Sequence, residues 1–280
     1  MYHESLFYAA LLSQAVLISL YYPELIANRM KWLLATHPPA THPKLYPNPV
    51  EFYEKGYRRF LHLNRLIFAI GLILIVGLTQ TQRTGKWDHA FATWYFLLQF
   101  VPFALLDRRA IREYRLMRET NSSSRRRAEL QPRRLMDFVS PHLLGAALGT
   151  YVGFSVFIIY LRRFDFPWFG GYQNIVGVTV LNSLFAGMIA WLLYGRKLNP
   201  HQAFEDRRKQ IETVTNGLFL TSIAATLFIA LSILLSAFEV RQFKPFAQCV
   251  YFQLIAVFCL RVYLVKPINF DVYRNDPAAA

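Results

Sequence analysis

Hydrophobic residues in this chain fall in long blocks, not in the alternating or one-faced patterns of a soluble fold. Seven blocks stand out: Ser5–Tyr22, Phe60–Thr81, His89–Leu106, Val139–Leu161, Gln173–Tyr194, Thr213–Phe238 and Pro245–Val265. Each is about 20 residues long, the length a helix needs to cross a hydrocarbon layer roughly 30 Å thick. The third is the most interrupted, by Gln99 and Pro102. Proline is tolerated in a membrane helix where neighbours satisfy the carbonyl it frees. The pattern predicts an all-α, polytopic helical bundle of seven transmembrane helices. It forms a single domain over residues 1–280, with an Arg-rich cytoplasmic loop at 107–138.

Composition agrees. Hydrophobic residues make up 54% of the chain and charged residues 17%, against about 25% charged in an ordinary soluble domain. The net charge of +14 would suggest nucleic acid on a soluble protein, but its distribution points elsewhere. The 23–59, 107–138 and 195–212 segments and the tail after Val265 carry 23 of the 31 Lys and Arg, and the N-terminus and the other three connections carry 6. Cytoplasmic loops carry such an excess. The bias predicts an N-terminus outside, a cytoplasmic C-terminus and basic loops against anionic lipid headgroups of the phospholipid bilayer. The expected location is a bacterial inner (plasma) membrane. No aromatic residues interleave the Arg run "SSSRRR", so no nucleic-acid partner is expected. The N-terminus "MYHESLFYAALL" lacks a basic region and a small-residue cleavage pattern, so the first span reads as retained. Trp and Tyr near the block ends, and the cluster "FDFPWFGGY" at 164–172, fit membrane interfaces.

Two cytoplasmic segments resemble each other, "KLYPNPVEFYEKGYRRFLHLNRL" from Lys44 and "KLNPHQAFEDRRKQIETVTNGL" from Lys197. In each, Asn-Pro predicts an N-cap at Asn48 or Asn199 and a first helical residue at Pro49 or Pro200. Glu51 or Gln202 would complete a capping box. The likeness is either an internal duplication or the shared need of outward-running helices for a cap and bases. Ser140 before Pro141 is a third cap.

Candidate chemistry is sparse. His201, Glu205 and Asp206 begin one helix, and His62 and His142 lie on the same side, so a metal or acid/base site at that interface is one reading. Caps and solvated charge are the other, and no metal or cofactor is expected. Cys249 and Cys259 are too far apart for a redox or zinc pair. Within the spans no Asp, Glu or Lys lies deep. Gln14, Gln99, Asn182, Ser183, Gln248 and Gln253 are neutral polar residues that either line a solute path or tie helices together. Gly145, Gly149 and Gly153 share one helix face, which is either an internal seam, with Ser222, Thr226 and Ala230 opposite, or a homo-oligomer contact. The topology resembles that of retinal proteins, but the middle of the last span, "YFQLIAVFC", has no lysine for a Schiff base. Three function classes remain: a membrane assembly or interaction subunit, a facilitator or channel for a small solute, and an interfacial enzyme acting on a lipid-linked substrate. The first is preferred for the glycine face, the basic loops and the lack of buried charge, and no nucleotide or hydrolase motif supports the third.

Overall fold

A computed structural model describes residues 2–81, 84–119, 134–195, 199–265 and 269–274; for residues 2, 3, 81 and 84–90 it gives the backbone only. Most of the Arg-rich loop, 120–133, lies outside the described residues. The fold is all-helical. Its helices are α1 (Tyr2–Val16), α2 (Tyr22–Thr36), α3 (Val50–Thr81), α4 (Thr84–Glu119), α5 (Pro141–Leu161), α6 (Gln173–Tyr194), α7 (Phe204–Ala237) and α8 (Lys244–Leu260). Among the described residues six helices are long and apolar enough to cross a membrane: Glu4–Thr36, Val50–Gln80, Pro141–Leu161, Gln173–Tyr194, Phe204–Ala237 and Arg241–Leu264. The third expected span lies within α4. Its side chains before Phe91 are outside the described residues.

The first helix is longer than the hydrophobic block that announces it. α1 passes through a π-helical turn, Leu17–Tyr21, into α2. Pro23 explains the turn: it has no N–H to return to the carbonyl four residues back. The coil widens ahead of it, and Tyr22 N–H donates to the Leu17 carbonyl. The polar positions after Tyr22 stay helical because nothing breaks the helix until the His-Pro-Pro run beyond Thr36.

α4 returns along α3 in the opposite sense. Arg109 donates to the Phe52 carbonyl, Phe60 meets Phe103 edge-on at 5.4 Å, and the Tyr95 hydroxyl donates to the Ile67 carbonyl. Two glycines permit this fit. A Cβ on Gly71 would collide with the Tyr95 ring, and one on Gly56 with the Arg109 guanidinium. The larger core joins α1, α3, α4 and α8, with Phe96 and Phe252 stacked at 4.1 Å. α7 packs on α8 through Phe228 and Tyr251, stacked at 4.4 Å, and at Gly217, where a Cβ would stand 3.1 Å from the Phe258 carbonyl oxygen. Its other side carries the α5–α6 hairpin through two smaller clusters, around Phe138, Ile189 and Ile211 and around Phe154, Ile158 and Ile233.

The helix starts separate three similar sequence signals. Ser140 caps α5 as expected, accepting from Leu143 N–H at 3.2 Å. α3 begins at Val50, one residue later than the Asn-Pro reading. The larger correction is at α7, which begins at Phe204 without a side-chain cap. Asn199 instead folds a local turn, accepting from His201 N–H at 3.0 Å, and donates to the Tyr273 hydroxyl at 2.9 Å. Gln202 pairs with Gln210. Tertiary contact with the C-terminal segment has overridden the local capping preference. Once begun, α7 continues unbroken from the basic end into the bundle.

Candidate functional site

The deep polar residues divide into two separate groups. In the larger core Gln14 Nε2 donates to Gln99 Oε1 at 2.8 Å, and Gln99 Nε2 donates to Ser19 Oγ at 3.1 Å and to the Gln14 carbonyl at 3.4 Å. The π turn and these amides belong together, since the turn delivers Ser19 to Gln99. Nearby, Gln248 donates to Thr93 Oγ1 at 2.6 Å. Gln253 donates to the Ala10 carbonyl at 3.1 Å and accepts from Ser13 at 3.0 Å. The second group lies beyond α7. Asn182 Oδ1 accepts from Ser222 at 2.7 Å, and Ser183 is exposed beside it. They border an apolar cleft of about 540 Å³ between α5, α6 and α7, where Tyr151 and Thr179 also pair at 2.7 Å. α6 packs on α5 and α7, and α7 stands between it and α8.

The histidines expected at the basic end do not gather. His62, His142 and Glu205 are exposed, and His201 is half-buried with its ring 6.4 Å from that of Tyr273. Among the described residues no three His, Cys, Asp or Glu side chains form a metal-binding group. Asp206 behaves differently: it is 5% exposed and accepts from Asn269 N–H at 3.4 Å.

Asp206 borders a cavity of about 320 Å³ to which all four Lys/Arg-rich segments contribute. Met30 and Leu33 come from α2, Tyr46 and Tyr53 from the next stretch, Glu113 and Tyr114 from α4, Asn199 and Asp206 from the start of α7, and Phe270 and Tyr273 from the tail. The tail is held on three sides. Phe270 stacks on His37 at 3.9 Å, Asn199 donates to Tyr273, and Asp206 takes the Asn269 amide. On the α4 wall, Glu113 accepts from Arg109 Nε at 3.1 Å, while the guanidinium lies 3.9 Å over the Phe52 ring. Burial raises the Glu113 carboxyl above its usual range, although Arg109 opposes the shift. Burial pushes the Tyr46 phenol up to about 12. Burial and the neighbouring His42 and Arg274 hold His37 below its ordinary value. Sequence reasoning found Asp206 here but missed Tyr53, Glu113 and Tyr273. Each lies in a segment whose basic residues dominate the pattern, and only long-range packing brings them together.

Among the described residues the glycine face of α5 has no neighbour. A Cβ added at Gly145, Gly149 or Gly153 would meet nothing within 4 Å. The opposite face, through Phe154 and Ile158, does the packing. Thr226 is buried and Ser222 is bonded to Asn182, so the small face of α7 is used, but not by these glycines. At the other end of the hairpin, Arg162 lies 4.1 Å over Tyr172 and Arg241 lies 5.4 Å over Trp168.

Compared with protein families, curated proteins and solved structures, the chain matches none. The functional reading therefore rests on the geometry. The chain is a multi-pass membrane protein with apolar helices of spanning length and wide apolar exposure, including Ile73, Leu184 and Met188.

Proposed function

We propose that this chain is an assembly subunit of the plasma membrane, which joins a second copy of itself through α5. The carrying observation is the open stripe of Gly145, Gly149 and Gly153 on a helix that packs by its other face. Lipid tails are as apolar as leucine, so burial of oily surface does not drive helices together in a bilayer. Close backbone approach does, and small residues every four positions allow it. The stripe is self-complementary, because identical flat faces meet across a twofold axis. Shape is the reason for preferring a second copy to an unrelated helix.

Seven crossings accompany this reading. All four basic segments reach one cavity, and α4 runs antiparallel to α3, as alternation with a cytoplasmic basic end requires. Those segments then face anionic lipid headgroups. Passage of a solute is less well supported. The deep amides are bonded to one another, to backbone or to neighbouring hydroxyls, and Asn182 is separated from the glutamines by α7. The interfacial enzyme is also less well supported, given the scattered histidines.

The test is the mass of the protein after gentle extraction into lipid nanodiscs. A dimer is expected for the wild type, and a monomer with unchanged helicity for Gly149→Leu. A monodisperse wild-type monomer contradicts the proposal. A stoichiometric complex with a different protein, lost in the same variant, keeps the face and replaces the partner.

A further inference from the structure

The cleft between α5, α6 and α7 lies at the middle of the spanning layer. Asn182, on its wall, belongs to α6, which runs from Gln173 to Tyr194. At 1.5 Å of rise per residue it stands roughly 14 Å from one end of that helix and roughly 18 Å from the other. The cleft volume, about 540 Å³, is that of a small-molecule pocket. Phe185 and Phe219 stand in its walls, and the short side chains of Ala147, Ala186 and Ala190 account for the room.

The polar groups on this lining have spent their hydrogens unevenly. The Thr179 hydroxyl donates to the Ile175 carbonyl at 2.8 Å, so in its 2.7 Å contact with Tyr151 the phenol is the donor. Ser222 donates to Asn182 Oδ1 at 2.7 Å. Those two pairs are closed. The Asn182 amide keeps both N–H hydrogens and the Ser183 hydroxyl keeps its own, and among the described residues neither group has an acceptor. Both side chains line the cleft. Hydrocarbon offers no water to take these hydrogens, and a donor left open there is costly. Adjacent open donors on an apolar cleft therefore point to a guest that brings an acceptor.

The depth restricts that guest. A phospholipid carries its ester and phosphate oxygens at the edge of the hydrocarbon, roughly 15 Å from the middle, and its chains hold no acceptor. An ion is a poor fit, because no charged side chain is among the described residues of the lining. What remains is a neutral, apolar molecule with a carbonyl inside its oily part. We propose that this cleft binds a lipid-soluble ring ketone of the quinone class. One carbonyl oxygen accepts from Asn182 Nδ2 and the Ser183 hydroxyl, and the ring lies against Phe185 and Phe219. The proposal is independent of α5 association, because Gly145, Gly149 and Gly153 are not part of the cleft wall.

The experiment is a titration of the full chain in nanodiscs with duroquinone, followed by thermal shift. Durene is the comparison probe, since it has the same methylated ring without the carbonyls. A saturable rise in Tm with duroquinone, and none with durene, is expected. Asn182→Leu should weaken the duroquinone response about tenfold or more, and Ser183→Ala about threefold to tenfold. Asn182→Leu also strips Ser222 of its acceptor. Should that variant fail to fold, Ser183→Ala decides alone, because it removes a hydroxyl that ties nothing in the chain together and should keep the wild-type Tm. No saturable response to duroquinone overturns the proposal. So does a durene response of equal size, which marks the cleft as a place for any oily ring, or a duroquinone response unchanged in Ser183→Ala.

Discussion

Gln99→Leu separates a structural amide network from the lining of a wet path. Gln99 is fully buried and makes two good side-chain bonds, to Gln14 at 2.8 Å and Ser19 at 3.1 Å. Interhelical hydrogen bonds in membranes average about 0.6 kcal/mol and reach about 1.7, so their loss costs about 1–2 kcal/mol. Leucine nearly fills the same space, which keeps the packing cost small. The larger cost falls on Gln14, whose buried amide would lose its acceptor, at about 1–3 kcal/mol. The expected destabilisation is about 2–5 kcal/mol. Gln14→Leu combined with Gln99→Leu removes the orphan as well as the bonds, so the double variant should be less destabilised than the two singles together. The coupling should be about 1–3 kcal/mol. The assay is reversible unfolding in mixed micelles, followed by helicity, on all four proteins of the cycle. If water reached these residues, it would satisfy Gln14 in the single variant. Gln99→Leu would then cost less than about 0.5 kcal/mol and the cycle would be additive. That result would refute the paired-amide reading and restore the solute path.

Three further outcomes follow from other contacts. Gly56→Ala should push the Arg109 guanidinium off the Phe52 ring and away from Glu113, lowering stability by about 1–3 kcal/mol; an unchanged Tm would show that Arg109 relocates freely. Gly217→Ala should destabilise, because its Cβ meets the Phe258 carbonyl oxygen at 3.1 Å, whereas Gly149→Ala meets open space and should leave monomer stability within about 0.5 kcal/mol of wild type. His37 is held below its ordinary 6.5, so the folded chain binds fewer protons than the unfolded chain between the two values. Its contribution is complete above about 6.5 and is lost as pH falls below that. Subtracting the Tm-versus-pH curve of His37→Gln from that of the wild type isolates this loss, and a flat difference between pH 7.5 and 5 would contradict it.

Much of the architecture was legible in the hydrophobic blocks, because a bilayer requires the same helical length of every crossing. The α5 cap was legible too, since Ser140 has no tertiary competitor. At Asn199 the same kind of signal misled, because its amide bonds to Tyr273, 74 residues away in sequence. The continuation of the first helix to Thr36 was hidden by Glu24, Arg29 and Lys31, polar residues that a helix accepts outside the hydrocarbon layer. The glycine stripe was visible as a pattern, but which way it faced was not. Periodicity places residues on a face without saying what that face meets. The cavity was the least legible feature. Its walls come from segments far apart in sequence, and their abundant arginines mask the two carboxylates that turn inward.

In-membrane cysteine cross-linking tests the association of α5 with α5 most directly. Gly149→Cys would be introduced where Cys249 and Cys259 have been replaced by alanine, with Leu184→Cys on the exposed face of α6 as the control. Oxidation in native membranes should convert the Gly149→Cys protein to a covalent dimer with a mass twice that of the chain, and leave the Leu184→Cys protein monomeric. Equal, slow cross-linking of both, or none at Gly149→Cys, would contradict the assembly role.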